Sequence, residues 1–398
     1  MIYVGIDWAR SRHFVTVLDE SGVRLHQQYV KHGAEQLQAL AETLVAIEPD
    51  PAAIRVAVEL HDGAILAWLV IQGYNVFPMN PKSADRARDR YRPAGGKDDR
   101  TDAFVLADTL RTDAGALRQL KPDSPRAEEL LSWLRNRESL VRERTARMQQ
   151  LRAILAEWCP ELSALCSNFH SRWQRDLLAT FPLQQELAHV DIEQAKAACA
   201  RKLCPSSCRQ LEAVLTAPCL PIPPGRREAL AWQVRELVRR IGDLIESIKE
   251  IELHLRKLIE AHPRARLVRS LPIKGVVGCA TLLAIMEMAD YATWQELVAR
   301  WGVAPVTKQS GNKKSVRRRR GCDHFVCQVL TQFAHCTAQV QDSWAREFYQ
   351  AKRTAGVAHH TILRQLARQW VRILCAIWRD DTTYDETLHQ FNQHQRAA

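Results

Sequence analysis

Asp99 and Asp102 stand three residues apart in the stretch Lys97-Asp98-Asp99-Arg100-Thr101-Asp102-Ala103, at the head of an apolar-periodic run through Phe104, Val105, Leu106 and Leu110. The periodicity predicts a helix of about three turns, and the spacing puts both carboxylates on one face of it. Two such groups repel unless a cation or proton sits between them. Magnesium, a hard and oxygen-seeking ion, is the natural occupant, with manganese as the alternative. An acidic first turn taken alone needs no metal, because the helix macrodipole already favours it. Two further acids upstream shift the balance: Asp7 ends the β-rich run Met1 to Ile6, and Glu59 ends the apolar run Ile54 to Val58. A different chemistry is offered by Ser310, which is followed at once by Lys313, Lys314, Arg317, Arg318, Arg319 and Arg320 and preceded by Lys308. A serine hydroxyl amid cations could attack a phosphodiester and be held covalently. Locally, a solvated basic loop with an incidental serine accounts for the stretch better, and Ser315 competes.

The elements that must position these residues follow from hydrophobic period and turn chemistry. His13 to Leu18 reads as a second strand, and Asp19-Glu20-Ser21-Gly22 as the turn into a third, Val23 to Val30. Leu37, Leu40, Leu44 and Ile47 mark a helix, Ile54 to Val58 a buried fourth strand, and Ile65 to Val70 a second helix. Val76 to Met79 gives a fifth strand closed by Asn80-Pro81. Three meandering strands, then alternating helix and strand, then the Asp99 helix is the order of a ribonuclease-H-like fold. In that fold acids on the first strand, after the fourth strand and on a late helix converge, and four of them would hold two metal ions about 4 Å apart. Gly5-Ile6-Asp7-Trp8-Ala9 also resembles the first phosphate loop of actin-like ATPases, but Gly95-Gly96 is a poor counterpart for their later glycine motifs.

The chain has 398 residues and a formal charge of +11, which suggests two or three domains and a polyanionic partner, most simply nucleic acid. No secretory signal and no apolar run near the ~18 residues of a membrane span is visible. Eleven scattered cysteines fit reduced thiols in a cytosolic protein.

Ser124 and Pro125 open a long helix that carries Arg135, Arg137, Arg142, Arg144, Arg147 and Arg152 and stops at Pro160. After the stiff connector Cys219 to Gly225, Leu230, Leu237, Leu244, Ile251 and Leu258 form one heptad row, and Val234, Ile241, Ile248 and Leu255 another. This predicts a coiled coil, pairing back on the first long helix, with another subunit, or both. Residues 161–225 suggest several short helices. Ser270 to Gly278 resembles a helix–hairpin–helix with Ile273 where the first hairpin glycine usually stands. Cys199, Cys204 and Cys208, and separately Cys322, His324, Cys327, His335 and Cys336, are weak zinc candidates. The expected layout is α/β plus all-α: a ribonuclease-H-like domain at 1–120, a helical coiled-coil region at 121–262 with an insert at about 160–225, and a mostly α domain at 263–398.

Taken together the motifs resemble one family, the insertion-sequence 110 family of DEDD transposases, also called bridge-RNA-guided recombinases. Its Gly-Ile-Asp strand matches Gly5-Ile6-Asp7, and its Glu after the fourth strand matches Glu59, although Leu60-His61-Asp62-Gly63 replaces the usual Ala-Thr-Gly. Its Asn-Pro step matches Asn80-Pro81. Its Lys-Thr-Asp-x-x-Asp-Ala matches Lys97 to Ala103 with Asp98 for threonine, and its Gly-Leu-x-Pro…Ser-Gly matches Gly302-Val303-Ala304-Pro305…Ser310-Gly311. The resemblance implies a site-specific DNA recombinase moving its own element. Asp7, Glu59, Asp99 and Asp102 would be its RuvC-like metal-binding acids, and Ser310 the serine nucleophile. Lys97, Arg100, Lys308, Lys313, Lys314 and Arg317 to Arg320 would contact nucleic acid. A structured non-coding guide RNA is the implied partner alongside DNA, and a homodimer pairing into a tetramer the implied assembly. A RuvC-like Holliday-junction or structure-specific endonuclease is the competing reading; it would need the acids but not Ser310.

Overall fold

The computed structural model describes residues 1–59, 63–91, 98–121, 123–199, 203–273, 275–288, 293–311 and 313–387. They fall into two compact units, the first ending at Asp123 and the second beginning at Ser124.

The first unit runs β1 (Ile2–Asp7), β2 (Arg12–Leu18), β3 (Arg24–Lys31), α1 (Ala34–Ile47), β4 (Ile54–Val58), α2 (Ala64–Ile71), β5 (Asn75–Pro78), α3 (Pro81–Asp89) and α4 (Asp99–Asp113). The five strands form one sheet in the order β3-β2-β1-β4-β5, antiparallel across β1–β2–β3 and parallel across β1–β4–β5. This is the ribonuclease-H-like order expected from the sequence. The pleat divides the side chains between two faces. Val4, Ile6, Val15, Val17, Val56 and Val58 pack with Leu40 and Leu44 of α1 and Leu66 and Leu69 of α2. Tyr3, Leu18, Ala57 and Phe77 pack on the other face with Leu106, Ala107 and Leu110 of α4. The β2–β3 turn is held by Asp19, whose carboxylate accepts from the amides of Ser21 (2.9 Å) and Val23 (2.8 Å), while Gly22 takes φ 91°.

The second unit opens with α5 (Pro125–Trp158), capped by the Ser124 hydroxyl accepting from Ala127 N. Five short helices follow, α6 (Pro160–Leu165), α7 (Arg172–Thr180), α8 (Gln184–Leu187), α9 (Ile192–Ala197) and α10 (Pro205–Thr216), and then the long α11 (Pro224–Ala261). α5 and α11 are antiparallel: Arg137 pairs with Glu252 at 2.6 Å near one end, and Arg226 lies over the Trp158 ring at the other. Val234, Ile241, Ile248 and Leu255 are all buried within the chain, as that heptad row predicts. The second buried row, however, is Ala231, Val238, Ile245 and Ile259, with Leu237 and Ile251 beside it, whereas Leu230, Leu244 and Leu258 are only half covered. The buried surface of α11 is thus wider than a two-row seam, because both α5 and the short helices pack on it.

The remainder is α12 (Ala265–Arg269), α13 (Val276–Glu287), α14 (Trp294–Arg300), a hairpin of β6 (Pro305–Ser310) and β7 (Lys313–Arg318), then α15 (His324–Thr337), α16 (Trp344–Thr354) and α17 (His359–Arg379). Its core joins Leu282, Leu283, Trp301, Phe333, Leu366 and Trp370 to the near ends of α5 and α11. Among the described residues no helix is long and apolar enough to cross a membrane.

Candidate catalytic site

Asp7 is the last residue of β1, and Glu59 follows the last residue of β4. The two strands are parallel neighbours with Ile6 opposite Val58, so both acids leave the same end of the sheet. Gly5 sets what lies above them. A Cβ built there would fall 1.9 Å from the Ala103 carbonyl oxygen and 2.6 Å from the Ala107 amide nitrogen. Only a glycine lets α4 settle this close to β1. α4 runs antiparallel to β1: Leu110 packs with Tyr3 and Leu18, while Arg100 lies over the ring of Phe14, the residue that faces Asp7 across the ladder. The first turn of α4, with Asp99 and Asp102, therefore shares the sheet end with Asp7 and Glu59. The helix has 15 residues, longer than its apolar run suggested.

Asp98 caps this helix, its carboxylate accepting from the amides of Arg100 and Thr101 and from the Thr101 hydroxyl. The cap accounts for the departure from the family's threonine, because either side chain can accept from those amides. Asp102 is buried at 3 % exposure. Its Oδ1 accepts from Arg88 Nε at 2.5 Å, and its Oδ2 is buried with no hydrogen-bond partner. α3 brings Arg88 there; the helix starts where Asn80 caps it and Pro81 fills the first position. Among the described residues no three His, Cys, Asp or Glu side chains gather closely enough to hold a metal ion. The donor set is nonetheless all carboxylate oxygen, which suits a hard divalent ion. A buried carboxylate oxygen without a partner is the atom such an ion would satisfy.

One feature beside Asp7 escaped the sequence reading. Trp8 stacks on His13 with centroids 3.9 Å apart, and Ala9 N donates to His13 Nδ1 at 3.4 Å. With Nδ1 accepting, Nε2 carries the proton and donates to His32 Nδ1 at 3.3 Å. Burial, then the neighbouring His32, pushes His13 down to about 4. His13 occupies an inward position of a strand, where only its neighbours across the fold reveal a role.

In the second unit Ser310 ends β6, exposed, and pairs with Lys313 across a two-residue turn. Gly311 in that turn takes φ 53°. The basic stretch expected as a loop is thus a hairpin, and its Gly-Asn turn dipeptide was the available signal. Lys308, Arg317, Arg318 and Arg320 are exposed on it, Arg319 is half-buried, and Ser315 lies opposite Lys308. The side chains of Lys313 and Lys314 lie outside the described residues, as do Lys97, Gly95, Gly96 and 60–62. Ile273 packs over Gly278, where a Cβ would meet its Cδ1 at 2.3 Å. It fills core where a hairpin glycine would leave room for phosphate. Cys322 Sγ lies 3.8 Å from His324 Nδ1, but neither cysteine group gathers a ligand set among the described residues. On α5, Arg135 pairs with Asp323, Arg137 with Glu252 and Arg142 with Glu138.

Two family models match the chain, one described as "Transposase" over residues 4–160 and one as "Transposase IS116/IS110/IS902 family" over residues 265–350. The chain belongs to the IS110 family of transposases. It is 27% identical to the insertion element IS116 uncharacterized 44.8 kDa protein of Streptomyces clavuligerus, over 95% of each chain. It is 26% identical to "Mini-circle putative transposase for IS117" of Streptomyces coelicolor, over 93% of this chain and 92% of that one. It is 36% identical to "Putative transposase y4uE" of Sinorhizobium fredii, over 47% of this chain, and spans about half (53%) of that relative. Among solved structures, Thermus thermophilus RuvC aligns over 30% of this chain and 100% of its own, at 18% identity and TM-score 0.23.

Proposed function

We propose that this IS110-family transposase cuts and rejoins DNA strands at the ends of an insertion sequence, with Asp7, Glu59, Asp99 and Asp102 as metal-binding acids and Ser310 as nucleophile. The observation that carries the reading is the seating of α4 on Gly5, which leaves the first turn of α4 over the strand ends that carry Asp7 and Glu59. A divalent ion, magnesium or manganese, held by these acids would supply Lewis-acid charge at a phosphodiester. Arg88 neutralises Asp102 in its absence and keeps α4 docked. The Ser310 hydroxyl attacks phosphorus, its Oγ–P bond forming as the bond to one deoxyribose oxygen breaks, and its proton ends on that leaving oxygen. A hydroxyl from the partner DNA then attacks the phosphoserine and restores the serine. The exposed cations of the hairpin neutralise backbone phosphates around this step. A structured non-coding RNA would choose the sites, and a homodimer pairing into a tetramer would hold two DNAs. The DNA-associated cytoplasm is the matching location.

Purified protein incubated with labelled element-end DNA and magnesium tests this. An adduct on Ser310 that survives denaturation, lost in Ser310→Ala and in Asp102→Asn, is the expected result. Undiminished cutting by Ser310→Ala would overturn the nucleophile and leave a RuvC-like endonuclease.

A further inference from the structure

The acids are the inner end of a longer row. Across the sheet, Asp7 of β1 faces Phe14 of β2, and Phe14 faces Tyr29 of β3. With strands about 4.8 Å apart, the row reaches Tyr29 within about 10 Å of Asp7. α4 covers β1 and β2, where Phe14 and Leu18 are buried, but leaves β3 on the same face more open. There the phenol ring of Tyr29, 45 % exposed, stands edge-on to Phe14 at 4.7 Å, with the Arg12 guanidinium 4.6 Å above it. One row further back, a cleft of about 400 Å³ is lined by Arg24, Gln27, Tyr91, Asp98, Arg100, Thr101 and Phe104. Arg24 lies 4.6 Å over Phe104, and Tyr91 is edge-on to the same ring at 5.5 Å. Among the described residues Arg12, Arg24 and Arg100 face rings and form no ion pair. The Asp98 carboxylate is spent on the amides that open α4, which reduces its repulsion of an anion in the cleft.

Arginines interleaved with aromatic rings, beside the strand end that carries Asp7, suit one ligand chemistry. Phosphates sit on the guanidinium groups and unpaired bases stack on the rings. A base inside a duplex already has both faces stacked on its neighbours, so stacking on these rings calls for an unpaired base.

We propose that the open surface between β3 and the start of α4 holds single-stranded DNA flanking the scissile phosphate, with phosphates on Arg12, Arg24 and Arg100 and bases against Tyr29 and Phe104. This deepens the proposed nuclease site and rests on it for the identity of the strand as DNA. The row ends at the acids, so the strand it holds is the one the acids act on, which favours DNA over a guide RNA.

The test uses the full chain in chelator, so that no cutting occurs, with a single-stranded DNA oligonucleotide carrying bromodeoxyuridine. Photo-crosslinks should map to the peptides containing Tyr29 or Phe104, and Tyr29→Ala should remove the first. Arg24→Glu should weaken binding about tenfold, whereas Arg118→Glu, the same charge change at an exposed position near the opposite end of the sheet, should have less than a third of that effect. Circular dichroism verifies that each variant is folded. Crosslinks confined to other peptides, or equal weakening by Arg24→Glu and Arg118→Glu, would overturn the proposal. So would crosslinking of the same peptides by RNA of the same sequence and not by DNA. Because the readout is metal-free binding, inactivity of Asp102→Asn or its absence bears on the nuclease reading alone.

Discussion

The acids and the serine sit on opposite kinds of scaffold. Asp7 and Glu59 end strands buried on both faces, and α4 is pinned beside them by backbone contact at Gly5. Ser310 ends a two-stranded hairpin whose side chains are mostly exposed. Groups proposed to share a metal would need fixed separations, and a sheet-and-helix core supplies such rigidity. The proposed nucleophile must first meet and then release DNA, which needs access, and an exposed hairpin supplies that.

Substitutions can break this contrast, and the largest effect is expected at its rigid side. Gly5→Ala forces a methyl into the Ala103 carbonyl; backbone cannot yield cheaply, so a loss of about 3 kcal/mol or more is expected, read as a collapse of the first unit's thermal transition. Next comes Arg88→Met, which leaves Asp102 buried without its counter-charge at a cost of about 3–5 kcal/mol. Magnesium should raise the melting temperature of this variant more than that of the parent; equal shifts would count against an ion at Asp102. Third is pH. His13 is held below its ordinary value of 6.5, at about 4, so the folded protein keeps it neutral. Its contribution is whole above pH 6.5 and drains away as pH falls toward 4, by at most about 3 kcal/mol. His13→Phe should flatten that slope in urea midpoints measured across the range. Gly311→Ala at φ 53° should cost about 1 kcal/mol, confined to the hairpin and visible in amide exchange of 305–318. Ser310→Ala is the smallest, within about 0.5 kcal/mol of the parent by melting, although strand joining is lost. A destabilised Ser310→Ala would dissolve the contrast.

The same contrast explains what the sequence disclosed. Buried strands such as Ile54–Val58 announce themselves by composition, and the Asp99 helix by its 3.6 period. From these the sheet order followed, and with it the shared position of the acids. The hairpin did not follow, because β6 is exposed on both faces and shows no alternation. On α11 one heptad row is buried as expected, but Ala231, Val238 and Ile245 were not foreseen, because they join a core with short helices at 160–222 that leave no period of their own. Arg88 and His13 were illegible for another reason: their partners, Asp102 and His32, lie 14 and 19 residues away and meet them only through the fold.

The antiparallel run of α5 and α11 has a consequence for how this chain tolerates change. Trp158 and Arg226 meet at the same tip, so everything between them leaves and returns at one place. The five short helices cap this end of the pair, and their exchange for a brief loop is expected to keep both long helices in register once Ala231, Val238 and Ile245 of the second row are made polar.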